Sequence, residues 1–178
     1  MLIVGLGNHG QSFTNTRHNA GFLFVDELAA MLHVISWKEK FHGLLAGAHH
    51  HILGDVILLK PQTYMNSSGI SVAQCAQFFK KTAAEIIVIH DELDLPVGKI
   101  KVKYGGSHRG HNGVRSVSSS LGFDNYKRIM IGIDRPSGSG TDVRDYVLST
   151  FSASEFEVLY SSFGISIENI GSLILGGG

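Results

Sequence analysis

Four stretches of this chain carry dense polar side chains of the kinds that move protons and hold carbonyl groups: Asn8 with His18 and Asn19, then Asn66, then Asp91, then His111 with Asn112. A histidine beside a carboxylate makes a general base, because the carboxylate fixes the tautomer and stabilises the imidazolium while the other ring nitrogen takes a proton from water. His18 and Asp91 are the pair of that kind here. An imidazole with its ordinary pKa of about 6.5 already suits neutral pH. Asparagines supply neutral donors and acceptors, so Asn8, Asn66 and Asn112 can hold a carbonyl and an attacking water without adding charge. Each also has a plainer use: Asn8 in a left-handed turn, Asn66 as a helix cap, Asn112 as either. Asp91 can likewise brace a turn. Other chemistries lack their parts, since no serine occupies a nucleophile elbow, no Cys/His pairing is visible, and neither H-E-x-x-H nor C-x-x-C occurs.

The elements that must position these residues follow from periodicity. Met1 to Leu6 reads as a buried strand, and Gly5, Gly7 and Gly10 spell the G-x-G-x-x-G of a dinucleotide-binding unit. The residues that follow argue against that ligand. Gln11 to Asn19 is polar with no apolar face, and the helix starts only at Ala20, running to Val34 with Phe22, Val25, Leu28, Ala29 and Leu32 on one side. Asp26 and Glu27 therefore lie inside a helix, not at the tip of a second strand, and Thr16 or Asn19 is available as the cap. Gly43 to His50 and Ile52 to Lys60 read as strands with a bend at Gly54-Asp55, and His49, His50 and His51 as a solvated hairpin. Pro61 to Gly69 is a loop feeding a second helix with Val72, Cys75, Ala76 and Phe79 inward and Ser67 or Ser68 as its cap. A strand over Ile86–Ile89 runs out into His90-Asp91-Glu92, and Lys99, Lys101 and Lys103 alternate with Ile100 and Val102 along another. The glycine-rich loop Gly105–Gly113 leads into a helix to Leu121, and Tyr126–Ile133 is a strand. Ser137 to Gly140 reads as a mobile Ser/Gly stretch, helices are expected over Asp142–Phe151 and Ser152–Phe163, and the last fifteen residues have no clear assignment. The alternation implies an α/β fold, a single domain over residues 1–178 with a twisted, mixed, mostly parallel β-sheet flanked by helices on both faces.

Composition narrows the setting. Fifteen basic and fifteen acidic side chains cancel, so only a local excess can speak of partners. One exists: Lys99, Lys101, Lys103, Arg109, Arg115, Lys127 and Arg128 stand against Asp124 alone, which is either a solvated edge or a phosphate track. The single cysteine, Cys75, fits a buried thiol in a reducing compartment. The N-terminus has no cationic start followed by a long apolar run, which leaves a cytosolic protein as the expectation.

GLGNHG, TRHNAG, KPQTYMNSSG, HDELDLP, GGSHRGHNG and RIMIGIDRP, in this order over about the first 136 residues, with DYVLSTF after them, resemble the bacterial-type peptidyl-tRNA hydrolase family. The resemblance implies a monomeric, cytoplasmic, metal-independent enzyme without a cofactor, whose partner is peptidyl-tRNA and which hydrolyses the ester joining a peptide to the 3′ ribose. It implies His18 as the base and Asp91 as its partner. It also implies Asn8, Asn66 and Asn112 as substrate-positioning residues, with His111, Phe13 and Tyr64 in the peptide-binding part of the site. Lys101 and Lys103 match positions that hold tRNA phosphate. Arg109 stands where the family commonly has glycine and Met130 where it often has an arginine, so Arg109 is the expected replacement contact to tRNA. A non-catalytic RNA-binding module would use the same basic stripe but leave the His18–Asp91 pair without a purpose.

Overall fold

Leu2–Gly5, the strand that leads into the first polar turn, sits in the middle of the sheet as β1. The computed structural model describes residues 1–136 and 140–176; Ser137 to Ser139, most of the stretch expected to be mobile, lie outside the described residues. Among those residues the remaining strands are β2 (Lys38–Lys40), β3 (Gly43–His50), β4 (Gly54–Pro61), β5 (Ile86–Glu92), β6 (Ile100–Tyr104) and β7 (Lys127–Gly132). The sheet runs β2-β3-β4-β1-β5-β7-β6, with β4, β1, β5 and β7 parallel and the strands outside them antiparallel. Buried parallel strands must be apolar on both faces, which is what the runs Leu2–Val4 and Ile86–Ile89 supply.

Alternate residues of these strands feed two cores. Ile3, Ile87, Ile89, Ile129 and Ile131 face α1 (Ala20–Met31), α5 (Ala153–Glu168) and α6 (Ile170–Leu175), whereas Leu2, Val4, Ile86 and Val88 face α2 (Ser68–Phe78) and α3 (Asn112–Leu121). The chain is thus a single-domain α/β fold with helices on both faces. A short helix, α4 (Val143–Leu148), follows β7. Among the described residues no helix is long and apolar enough to cross a membrane.

The glycines of the first turn have a packing role. A Cβ on Gly5 would fall 2.4 Å from the Gly21 carbonyl oxygen, and one on Gly21 would fall 2.4 Å from that of Ile89. The bare backbones let the start of α1 sit directly on β1 and β5, which carries His18, three residues upstream of Gly21, to the carboxyl end of β5.

Several local expectations are refined. Neither Asn19 nor Ser67 makes a side-chain cap bond, and the Asn19 amide is used elsewhere. The first helix ends at Met31, and His33 turns the chain at φ 54°. The histidine hairpin is not wholly solvated: His50 is buried, and its Nδ1 accepts the Ile52 and Leu53 N–H groups at 3.2 Å, so β4 starts only at Gly54. The C-terminal helix continues past Phe163 to Glu168, opened by a Ser152/Glu155 capping box, and α6 then buries Ile170 and Ile174. Cys75 is fully buried and burial pushes its thiol up to about 12, so it packs as a small apolar group.

Candidate active site

The turn before α1, the carboxyl end of β5 and the N-cap of α3 bring His18, Asp91 and His111 together at the carboxyl edge of the parallel strands, the two histidines 73 and 20 residues from the shared carboxylate in sequence. His18 Nδ1 lies 2.9 and 3.0 Å from the two Asp91 oxygens, and His111 Nε2 lies 2.9 Å from Oδ1. The tautomers follow from what each ring nitrogen faces. His111 is the N-cap of α3, where its Nδ1 accepts the Val114 N–H at 3.2 Å, so its proton sits on Nε2 and is donated to Asp91. Asp91 is a carboxylate that receives, so His18 donates from Nδ1, and Nε2 is left as a lone pair on the cleft side.

The electrostatics agree. Burial favours a neutral Asp91, but the two histidines and their hydrogen bonds outweigh it and hold the carboxyl well below its usual range. Burial likewise opposes charge on His18, yet the Asp91 carboxylate and its hydrogen bond raise the imidazole above its ordinary value. Burial, with His111 beside it, takes His90 down to about 3, so this neighbour stays neutral while its Nδ1 donates to the Asp91 carbonyl at 2.7 Å. The triad's ligand atoms lie within 4.8 Å of one another, a spacing open to a cation. Binding one there would move the His111 proton to Nδ1, against the Val114 N–H, so the donor set suits proton traffic better than a metal.

Asn8 is held by three contacts that fix which way its amide points. Its backbone N–H donates to Asn19 Oδ1 at 2.8 Å, its carbonyl accepts from Asn19 Nδ2 at 3.0 Å, and its own Oδ1 accepts the Met65 N–H at 2.7 Å. The Asn8 NH2 group is then the end left for the cleft. That cleft holds about 680 Å³, and Asn8, Phe13, His18, Tyr64, Asn66, Asp91, Arg109, His111 and Asn112 all line it. Asn66 is exposed at its wall, and Asn112 is exposed with its Oδ1 accepting from Arg115 at 2.8 Å. Phe13 meets Tyr64 edge-on at 6.5 Å, and His9, which the sequence did not single out as a site residue, tilts against Tyr64 at 5.1 Å.

The opposite wall was not foreseen. Val143, Arg144, Val147 and Leu148 of α4 complete the cleft, and DYVLSTF was the signal available for them, read only as a family likeness. The basic stripe also divides. Lys101 and Lys103 project from the edge strand β6, and Lys103 lies against the Gly106 backbone. Lys127 and Arg128 are buried: Lys127 donates to the Ile174 carbonyl, and Arg128 to those of Gly105, Gly106 and Ser107 at 2.5, 3.1 and 3.2 Å. These two hold the fold and are withdrawn from any phosphate track. Arg109 sits on the cleft rim at φ 46°, a backbone region that glycine occupies without strain, and its guanidinium meets Asp94 at 3.4 Å.

A histidine oriented by a buried carboxylate and facing an amide-lined cleft, with no serine, threonine or cysteine among the described residues that line it, has the parts of a hydrolase site. The family model for peptidyl-tRNA hydrolase matches residues 2–176. The peptidyl-tRNA hydrolase of Carboxydothermus hydrogenoformans is 46% identical over 170 residues, 95% of this chain and 89% of that one. That of Geobacter metallireducens is 44% identical over 177 residues, 99% of this chain and 89% of its own length. The crystal structure of peptidyl-tRNA hydrolase from Acinetobacter baumannii superposes with a TM-score of 0.88 at 39% identity, over 98% of this chain and 88% of that one. The chain belongs to the peptidyl-tRNA hydrolase family.

Proposed function

We propose that residues 1–178 act as one domain, a cytoplasmic monomer that hydrolyses the ester between a peptide and the 3′ ribose of tRNA. His18 Nε2 takes a proton from water as that water attacks the ester carbonyl, and Asp91 stabilises the imidazolium. The Asn8 amide and Asn66 hold the water and the developing oxyanion; Asn112 holds the peptide and ribose end. Phe13 and Tyr64 supply apolar surface for the peptide, and His111 keeps Asp91 charged. Because water attacks directly, no acyl-enzyme accumulates, and the reading requires neither metal nor cofactor.

The observation that carries this reading is the doubly donated Asp91, which leaves His18 Nε2 as the unprotonated nitrogen on the cleft. The test is incubation with N-blocked aminoacyl-tRNA and, separately, with free aminoacyl-tRNA, both in EDTA. Cleavage of the blocked substrate alone is expected; binding without cleavage would leave an RNA-binding module instead.

Lys101 and Lys103 are proposed to contact tRNA phosphate, with Arg109 as a third contact. Replacing both lysines by alanine is expected to raise KM chiefly and to reduce the log–log salt slope by about 1.4, the value for two phosphates of a single strand. An unchanged slope would make the stripe a solvated edge. Arg109→Gly, which also removes the positive-φ strain, is expected to reduce the slope by about 0.7. The exposed Asp94 pair offers little resistance to release of Arg109, and a slope equal to that of the unaltered protein would remove it from the tRNA-binding set.

A further inference from the structure

His18 stands on a single 3-10 turn, Arg17–Asn19, whose preceding residue Thr16 makes no side-chain cap bond. A catalytic ring has to be held within about 0.5 Å of its working position by the contacts around it, and one short turn supplies few of them. Their side chains leave the turn in different directions, and each finds a separate anchor. His18 reaches Asp91, and Asn19 clamps the backbone of Asn8 on both its N–H and its carbonyl. Arg17 turns away from the cleft and is not among the residues that line it.

Arg17 is buried, at 8% exposure, and all three hydrogen bonds its side chain makes go to one place, the corner between α4 and α5. Nη1 and Nη2 donate to the two Glu155 oxygens at 2.9 and 3.0 Å, and Nε donates to Ser149 Oγ at 3.2 Å. Its backbone N–H donates to the Ser149 carbonyl at 3.0 Å, and the guanidinium lies 4.6 Å from the Tyr146 ring and 5.0 Å from that of Phe151. The flanking backbone repeats the attachment: Thr16 bridges Thr150, and the Phe151 N–H reaches the Asn15 carbonyl. Glu155 is itself fixed, because its carboxylate accepts the Ser152 N–H in the box that opens α5. The forked, planar guanidinium matches this carboxylate in a way that an ammonium group does not.

We propose that Arg17, through its fork to Glu155, is a positioning residue that sets the depth and orientation of the His18 ring against the cleft wall formed by α4. The inference rests on the reading of His18 as the base. A buried ion pair of this kind is weak evidence for stability, since a well-packed apolar pair of similar size is often as stable; geometric specificity is the better account of it. Arg17 touches α4 through Tyr146 and Ser149, while Val143, Arg144, Val147 and Leu148 of the same segment line the cleft, so one side chain ties the base to the wall that faces it.

The experiment compares Arg17→Lys, Glu155→Gln and the double variant Arg17→Met with Glu155→Leu, beside His18→Ala, on N-blocked aminoacyl-tRNA. Thermal unfolding is measured in parallel. The double variant leaves no buried charge unpaired and keeps the protein foldable if the single changes do not. The expected result is a kcat lowered roughly tenfold to a hundredfold, the scale of an ångström of misplacement, with KM within about twofold because Arg17 lines no part of the cleft. The acid limb of the kcat profile should also move, since the His18–Asp91 contact loosens with the turn. Partial recovery in Arg17→Lys relative to the double variant is expected where both fold. A folded double variant with the kcat and pH profile of the unaltered protein overturns the proposal, and so does a reduced kcat with an unmoved pH profile, which is what loss of folding stability alone would give. His18→Ala with its rate intact would instead overturn the base assignment on which the proposal stands.

Discussion

His18→Ala is expected to lower kcat by about 10²- to 10⁴-fold, the usual contribution of a positioned general base, while KM for N-blocked aminoacyl-tRNA stays within a few-fold. The ring presents a single nitrogen to the cleft and no described group can replace it: His111 has both nitrogens engaged, and His90 is buried with its pKa held near 3. The pH dependence carries a sign. His18 works unprotonated, and its pKa is raised, so kcat should climb with pH through an ionisation lying above the ordinary 6.5; in the alanine variant this limb should vanish. The stability contribution runs the other way. The gain from protonated His18 is fully present below about pH 6.5, its unfolded value, and is lost as pH rises through the folded value. Removing the ring also leaves the buried Asp91 with one N–H donor ring where it had two, which should cost about 1–3 kcal/mol at neutral pH, measured by denaturant unfolding. Retention of more than a tenth of the rate would contradict the assignment.

Much of this site was legible because its chemistry needs particular residue types. His18 with Asp91 is read from composition of the loops alone, and the apolar runs of β1, β5 and β7 place those loops at one edge of a parallel sheet. What escaped the sequence is what depends on register and on distant partners. Arg128 looks like any cation of a basic stripe until its pairing opposite Val88 puts it inside the sheet, where it holds three loop carbonyls. Asn19 has the composition of a helix cap, but the Gly5–Gly21 contact brings Asn8 close enough to claim its amide. His111 was placed in the groove by likeness, and only the Val114 bond shows why its proton must face Asp91. Arg17 and Glu155 are 138 residues apart, and neither one predicts the other. The G-x-G-x-x-G turn misleads for a related reason: the spacing marks close backbone approach, and here the approach is to a helix and not to a pyrophosphate.

Asp91→Asn should be nearly as damaging to kcat, again about 10²- to 10⁴-fold, yet distinguishable from loss of His18. The carboxylate accepts from His18 through both oxygens and from His111 through one of them. An amide of the same shape offers one oxygen. If that oxygen keeps the place of Oδ1, the NH2 group takes the place of Oδ2, 3.0 Å from His18 Nδ1, and two donors face each other. The conflict is relieved when His18 shifts its proton to Nε2 so that Nδ1 accepts from the amide, and the nitrogen facing the cleft then has no lone pair with which to accept a proton from water. The charge effect adds to this. With the carboxylate gone, burial is the dominant influence left on His18, so its pKa falls below the ordinary range and the acid limb of the residual activity moves to lower pH. A limb at lower pH marks Asp91→Asn; no limb marks His18→Ala. Folding provides an independent check. The depressed pKa of Asp91 contributes stability that is present above its unfolded value of about 3.9 and is lost as pH falls toward the folded value, so the Asn variant should show a flatter decline of stability with acid over that window. A kcat within threefold of the unaltered protein, with the acid limb unmoved, would mean that the carboxylate neither sets the tautomer nor tunes the base, and the site would need another source of activated water.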